Sequence, residues 1–180
     1  MDSKILKKCI DKNELQLNFL DKISHYSPVT FILVFPVCIL YFKVKDFIIE
    51  TERPIREGEI FLFIIPIIIF LLLFKLQKKR LRFKIVETNL NIEKIHKVID
   101  ETANELAWNI DQRNNSFLTA HTNPKFTSGS WGEQITVIFK ENKILVNSIC
   151  DLNKRSSLVS MGRNKKNEQI LISNIKRASH

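Results

Sequence analysis

Two long uncharged apolar runs dominate the first half of the chain. The first covers residues 28–42 and the second covers residues 60–74. Each run would rise only about 22 Å as a helix, so flanking residues must contribute if it is to cross a hydrocarbon core of about 30 Å. Lysines at the flanks can extend their stems along the bilayer and keep their ammonium groups at its surface. Because neither run has the polar face of a soluble helix, we predict membrane helices at about residues 23–47 and 58–77.

After the second run, apolar residues recur with the spacings that are typical of a strand and of an amphipathic helix. Residues 81–85 alternate between apolar and basic side chains, which predicts a half-buried strand or, alternatively, a continuation of the second span. Asn91 then offers a helix cap, and apolar residues recur at three- and four-residue intervals from Ile92 to Ile110. This spacing predicts an amphipathic helix.

The rest of the chain predicts a small sheet closed by a second helix. Alternating or apolar segments indicate strands at residues 116–122, 134–140 and 144–150, and a last helix is expected at about 164–177. The predicted fold class is a membrane α-helical hairpin with two transmembrane helices, followed by a small cytosolic α+β domain. Its predicted element order is β-α-β-β-β-α, with an antiparallel sheet that carries the helices on one face.

Basic residues are concentrated after the second run. Residues 76–180 contain 18 basic and 10 acidic side chains, whereas residues 1–75 contain 10 and 9. By the positive-inside rule we predict a two-span protein of the cell inner membrane with both termini cytoplasmic. It divides into a cytosolic arm at 1–22, a hairpin with a short external loop at 23–77 and a cytosolic domain at 78–180.

Six of these cations form a basic stretch at the membrane surface. The five at positions 78–84 are each predicted to contribute about 1 kcal/mol of attraction to anionic headgroups, so the bilayer itself is an expected partner. The six are Lys75, Lys78, Lys79, Arg80, Arg82 and Lys84.

A second basic cluster lies directly before the last predicted helix. Backbone N–H groups at the N-terminus of that helix would lie among cationic side chains, an arrangement that suits a phosphate or a carboxylate. The alternative is a solvated basic loop in which Asn164 merely caps the helix. The residues of this candidate anion site are Ser160, Gly162, Arg163, Lys165 and Lys166.

Each apolar run contains one proline at the same depth. Pro36 is the ninth residue of the first run, and Pro66 is the ninth of the second when counted from the cytoplasmic end. Because proline removes a backbone hydrogen bond and kinks helices, matched kinks would create a shared weak point that is useful in a pore or gate. The alternative is that neighbouring groups satisfy the freed carbonyls and the prolines have no function.

The sequence contains no assembled catalytic or metal-binding motif. Its four histidines have no zinc-ligand spacing, and its three cysteines are too far apart in sequence to indicate a disulfide framework. The segment 128–132 lacks the Gly-x-Ser-x-Gly order of a nucleophile elbow and indicates a turn. We therefore expect no catalytic residue, no metal and no cofactor. Sequence-specific nucleic-acid binding is not expected either, and the second basic cluster lacks the interleaved aromatic residues on which single-strand binders stack bases.

Two functions fit these features. The first is a membrane-anchored, non-enzymatic binding or regulatory module that binds a protein or a phosphate-bearing ligand through its basic cytosolic domain. The alternative is an oligomeric pore-forming or membrane-perturbing effector gated by that domain, of the kind found in bacterial defence and toxin immunity. Two spans are too few for a conduit, so the alternative requires a homo-oligomer.

Overall fold

A computed structural model describes residues 2–49, 57–123, 130–154 and 157–179. Within these ranges the chain forms six α-helices and five β-strands. In chain order they are α1 (Ser3–Lys12), α2 (Phe19–Thr30), α3 (Val34–Ile48), α4 (Glu59–Arg80), β1 (Lys84–Glu87), α5 (Ile92–Leu106), β2 (Trp108–Arg113), β3 (Phe117–Thr122), β4 (Glu133–Lys140), β5 (Lys143–Cys150) and α6 (Arg163–Ala178).

Two helical segments are long and apolar enough to cross a membrane. The first runs from Phe19 to Ile48 through α2, a 3₁₀ turn at Phe31–Leu33, and α3, while the second is α4. Only 11% of the most apolar window of the first segment is buried inside the protein, and none of the corresponding window of α4 is. A core helix of a soluble protein would instead bury its apolar side chains.

The two segments pack as a hairpin that is fastened near both ends. At the end formed by α2 and the C-terminus of α4, the Gln77 amide donates to the carbonyl of His25 at 3.0 Å, and His25 Nε2 donates to the carbonyl of Gln77 at 3.1 Å. At the other end, Lys43 Nζ lies 2.9 Å from Glu59 Oε1. These contacts place the start of α2 and the end of α4 at the same end of the hairpin.

The two prolines lie in different local structures. The 3₁₀ turn at Phe31–Leu33 precedes Pro36, whose absent N–H would otherwise bond to the carbonyl of Ile32. By contrast, α4 continues as an α-helix through Pro66. The pair of matched kinks therefore remains a prediction.

All five strands belong to one antiparallel sheet in the order β1-β5-β4-β3-β2. An antiparallel sheet was expected, but the element order β-α-β-β-β-α is not confirmed, because β2 is an additional strand. The helix α5 stops at Leu106, and Ala107 takes the left-handed conformation with φ of 54°. Ile110, which we expected on the helix, therefore lies in β2 and pairs with Ala120 of β3.

Helices cover both faces of the sheet, whereas the sequence predicted them on one. On one face, α5 and α6 bury Ile99 and Leu171 against the strands. On the opposite face, α1 and the segment after it bury Cys9 and Leu15 against Phe83 and neighbouring strand residues. The N-terminal helix has this role because its apolar residues share one side, so that it forms part of the domain core.

Candidate anion-binding cleft

The sheet topology brings the end of α4 next to the beginning of α6. Strand β1 pairs with β5, with Lys84 opposite Val146, so the connection from α4 into β1 passes beside Ser148. The chain leaves β5 two residues after Ser148 and returns to the same region at the N-terminus of α6. A cleft of about 590 Å³ lies between these segments.

Positive charge dominates this cleft, which we call the basic cleft. Five cationic side chains and one carboxylate line it, and this imbalance favours an anionic ligand. The cations are Lys79, Arg80, Arg82, Lys84 and Lys165, and the carboxylate is Glu168.

The basic cleft also has an apolar rim. Leu76 from α4, Val159 and Met161 from the loop before α6, and Ile172 from α6 contribute to its lining. Leu76, Val159 and Met161 are 43%, 48% and 69% exposed, so much of the rim is open to the surroundings. Because Leu76 belongs to the second apolar segment, the rim is continuous with the surface of the hairpin.

Arg80 and Asn147 fix the walls of the cleft. The Arg80 guanidinium donates to Gln77 Oε1 at 2.8 Å and also to the carbonyl of Leu158, which ties the loop before α6 to α4. The buried Asn147 amide donates to the carbonyls of Arg80 and Arg82, at 2.8 Å and 3.2 Å, and holds the turn after α4 against the sheet. Arg80 therefore has a structural role, whereas Lys79, Arg82, Lys84 and Lys165 are exposed.

Glu168 is the acidic group of the cleft. Its Oε1 accepts the backbone N–H of Ser148 at 3.0 Å. Burial raises the pKa of the Glu168 carboxyl, while the Ser148 N–H and the charge of Lys84 act in the opposite direction. Removing this carboxylate is therefore a direct way to increase the positive potential of the cleft.

The residues of the predicted anion site do not all lie in the basic cleft. Ser160, Gly162 and Lys165 line the basic cleft, whereas Lys166 is exposed outside it. Ser160 already accepts N–H groups at the start of α6, from Arg163 to its carbonyl at 2.9 Å and from Asn164 to its hydroxyl at 3.5 Å. An anion in the cleft would consequently depend on side-chain cations more than on the helix N-terminus.

Gly162 is suited to its position by backbone conformation. Its φ is +82°, a left-handed conformation that favours glycine, and a Cβ built on it would meet nothing within 4 Å. A larger residue at this position would therefore cause backbone strain and not a collision with a neighbour.

Arg163 points into the protein. Its Nη2 lies 2.9 Å from Glu133 Oε2 and donates to the Thr122 hydroxyl at 3.3 Å. Glu133 is fully buried, and its carboxylate also accepts hydrogen bonds from the hydroxyls of Thr122 and Ser130. The positive charge of Arg163 is thus paired within the domain.

The basic stretch at the end of α4 and the start of β1 also contains residues in different surroundings. Lys79, Arg80, Arg82 and Lys84 line the cleft, whereas Lys75 and Lys78 do not. The sequence placed these cations and Lys165 in two separate clusters. It could not show that they meet, because the β1–β5 pairing that joins them spans about 60 residues of chain.

Two further side-chain pairs lie outside the cleft, one within the sheet and one between β2 and α5. His121 Nδ1 is 2.6 Å from Asp111 Oδ1, and both side chains are partly exposed. Arg113 pairs with Asp100, and its hydrogen bonds lower the pKa of that carboxyl. Among the residues that the structure describes, no group of three or more His, Cys, Asp or Glu is placed to hold a metal ion.

Comparison with known proteins adds no relative. No protein-family model matches the chain, and no curated protein matches it.

Proposed function

We propose that this protein is a membrane-anchored, non-enzymatic binding module that holds an anionic ligand at the cytoplasmic face of a cell's inner membrane. The observation that carries the proposal is the basic cleft, where cations from the end of α4 and the beginning of α6 converge. Its two apolar segments act as the anchor, and its α+β domain supplies the binding surface.

The exposed surface of the hairpin supports a membrane location. Side chains such as Phe47 and Leu72 are 75% and 64% exposed, and apolar residues continue around both segments. Soluble monomeric proteins rarely expose contiguous apolar patches larger than a few hundred Å². In a hydrocarbon environment these apolar side chains are not exposed to water, and the backbone of each helix is already hydrogen-bonded internally.

The charge distribution supports cytoplasmic termini. The start of α2 and the end of α4 share one end of the hairpin, and the cations of residues 75–84 gather there. At the other end, Lys43 is paired with Glu59. Because translocation disfavours segments rich in Lys and Arg, the end that carries the α+β domain belongs in the cytoplasm.

Hydrogen bonding of the Ser148 hydroxyl in the cleft supports binding in preference to catalysis by this serine. The Ser148 hydroxyl accepts from the Asn167 amide at 3.2 Å and donates to Asn164 Oδ1 at 3.3 Å. A serine nucleophile would need an adjacent general base, and amides cannot take its proton. The lysines and arginines supply fixed positive charge, which is the requirement for holding an anion.

Anion binding by the purified full chain tests this function. In a neutral detergent, inorganic pyrophosphate should bind and raise the melting temperature, because it stabilises the state that holds it. Replacing Lys79, Lys84 and Lys165 with Gln should abolish that rise. As a control of equal charge, Gln at the exposed Lys94, Lys97 and Lys140 should leave it intact. Equal loss of the pyrophosphate effect in both variants would refute the proposal.

An oligomeric pore is the second candidate. The 3₁₀ turn at Phe31–Leu33 favours it, because a local break in a span is a feature of gating helices, and the exposed span surfaces leave room for further copies. Reconstitution into dye-loaded liposomes tests it. Dye release by an oligomer would support a pore, whereas a monomer that releases no dye would exclude it.

A further inference from the structure

We infer that the ligand of the basic cleft is an anionic phospholipid of the surrounding bilayer, bound through its headgroup phosphate with its acyl region against the apolar rim. This inference rests on the proposed function and specifies its ligand class. It follows from the position of the cleft, from the composition of its walls and from the loop that forms its rim.

The cleft opens at the level where a bilayer presents its phosphates. Leu76 lies four residues before Arg80, the last residue of α4, and both line the cleft. At about 1.5 Å per residue these two positions lie about 6 Å apart along the helix axis, so the cleft begins about one turn before the end of α4. A lipid beside α4 can therefore place its phosphate among the cations without leaving the bilayer.

The walls of the cleft combine the two chemistries of a phospholipid. Lys79, Arg82, Lys84 and Lys165 offer charge-assisted hydrogen bonds to phosphate oxygens. The rim residues Leu76, Val159, Met161 and Ile172 offer an apolar surface, which a soluble inorganic phosphate would not use. A volume of about 590 Å³ also exceeds the space that a single phosphate needs and lies within the usual range for organic ligands.

The loop before α6 presents apolar side chains on the same side as α4. Val159 and Met161 are exposed while Ser160 between them is 7% exposed, so the loop alternates between an outer apolar face and an inner polar one. Met161 and Gly162 both take left-handed backbone conformations, with φ of 46° and 82°. This conformation is unusual for methionine, and in lipid the exposed thioether side chain would be buried against acyl chains.

Arg80 holds this loop beside the span. Its guanidinium bonds both Gln77 of α4 and the carbonyl of Leu158. The rim and the cations are consequently parts of one preorganised site, which reduces the ordering cost of binding.

Lipid retention by the full chain tests the inference. Protein purified in neutral detergent would be incubated with equal amounts of phosphatidylglycerol and phosphatidylcholine, and the lipid retained would be measured by native mass spectrometry. We expect preferential retention of phosphatidylglycerol. Lys165→Gln should weaken it about tenfold, because a charge-assisted bond to the phosphate is lost. Lys166→Gln, which removes the same charge from the next residue outside the cleft, should leave it unchanged.

A second variant separates a lipid from a soluble phosphate. Met161→Asn keeps every cation and a residue type that accepts the left-handed conformation, but it removes an apolar side chain from the rim. It should reduce phosphatidylglycerol retention while leaving pyrophosphate binding unchanged. Equal retention of the two lipids, or equal loss in the two lysine variants, would overturn the inference.

The outcomes also distinguish this inference from the proposed function. Pyrophosphate binding without retention of phosphatidylglycerol would refute the lipid and leave the anion-binding module standing, with a soluble phosphate compound as its ligand. Failure of both probes to bind would refute both proposals.

Discussion

The guanidinium of Arg163 lies 2.9 Å from the carboxylate of Glu133, whose side chain is completely buried. This pair joins the first residue of α6 to the first residue of β4, and hydroxyls of Thr122 and Ser130 complete the surroundings of the carboxylate. A buried ion pair is costly to break from one side, because the remaining charge is left without a partner. Arg163 therefore stabilises the domain that carries the cleft.

We predict that Arg163→Met destabilises the full chain by about 3–5 kcal/mol, since it leaves Glu133 as an uncompensated buried charge. Thermal unfolding in neutral detergent would show the loss as a lower melting temperature. Lys166→Met on the exposed surface should change stability by less than about 0.5 kcal/mol. The result that would contradict this prediction is an Arg163→Met variant that keeps the native melting temperature but no longer binds pyrophosphate. Arg163 would then be a residue that binds the anion.

The contrasting positions of Arg163 and Lys165 show where sequence reasoning stopped. Arg163 directly precedes the predicted helix and Lys165 lies in its first turn, and their positive charges alone do not distinguish them. The difference arises from Glu133, which lies 30 residues earlier in the chain and reaches Arg163 only through sheet formation. A single sequence contains no signal for such a pairing between distant residues.

Sequence patterns among neighbouring residues predicted local structure better than they predicted contacts between distant residues. The cap predicted at Asn91 is confirmed, since its side chain accepts the Lys94 N–H at 3.0 Å. Strand β2 was missed because Ile110 continues the helical spacing of α5, and Ala107 ends that helix in a left-handed conformation without a glycine to mark it. The helix α1 was not predicted, although the helical spacing of Ile5, Cys9 and their neighbours could have indicated it.

The pH dependence of stability should change when Glu168 is replaced. A raised pKa in the folded state means that the folded chain holds its proton more tightly, so stability falls as pH rises above the ordinary value of 4.5 and through the folded pKa. Glu168→Gln should remove this fall and be more stable than the native chain at neutral pH, with the difference shrinking in acid.

Melting temperatures measured from acidic to neutral pH would check this, with Glu101→Gln on the exposed surface of α5 as the control. Parallel pH profiles for the native chain and Glu168→Gln would show that the carboxyl is not held in the surroundings described. The same variant should also bind pyrophosphate more tightly, because it removes the negative charge from the lining.

The N-terminal segment should contribute to the stability of the α+β domain. Leu15 is 5% exposed and packs in the core cluster that contains Leu81 and Phe83, and its N–H bonds to the carbonyl of Leu81 at 2.8 Å. Leu15→Ala should therefore cost about 2–4 kcal/mol, as expected for truncating a buried leucine. Thermal unfolding would measure it against Ile85→Ala, whose side chain is 49% exposed. Equal effects would indicate that the N-terminal segment is not part of the core.

Gln77 should couple the hairpin to the loop before α6. It bonds His25 on the first segment and accepts from Arg80, which in turn holds Leu158. Gln77→Leu should destabilise the chain by about 1–2 kcal/mol, in the range of polar contacts between membrane helices. It should also speed amide hydrogen exchange in residues 158–162, because Arg80 loses one of its two acceptors.

The variant Gln77→Glu separates the contact between the two membrane segments from the contact with Arg80. The carboxylate keeps an acceptor for Arg80 but cannot donate to the carbonyl of His25. Exchange in the loop should therefore stay at the native rate in Gln77→Glu. Equally fast exchange in both variants would show that the hydrogen bond from Arg80 to residue 77 does not stabilise the loop before α6.

The side of the membrane on which α6 lies tests the central claim most directly. Lys166 is exposed and lies outside the basic cleft, so Lys166→Cys introduces an accessible thiol without removing a cleft cation. The full chain would be expressed in a bacterial host and treated with a membrane-impermeant maleimide, with the native chain as the background control. We predict labelling of Lys166→Cys in inside-out inner-membrane vesicles and none in intact cells. Labelling in intact cells, or recovery of the protein in the soluble fraction, would contradict a cytoplasmic domain anchored by two spans.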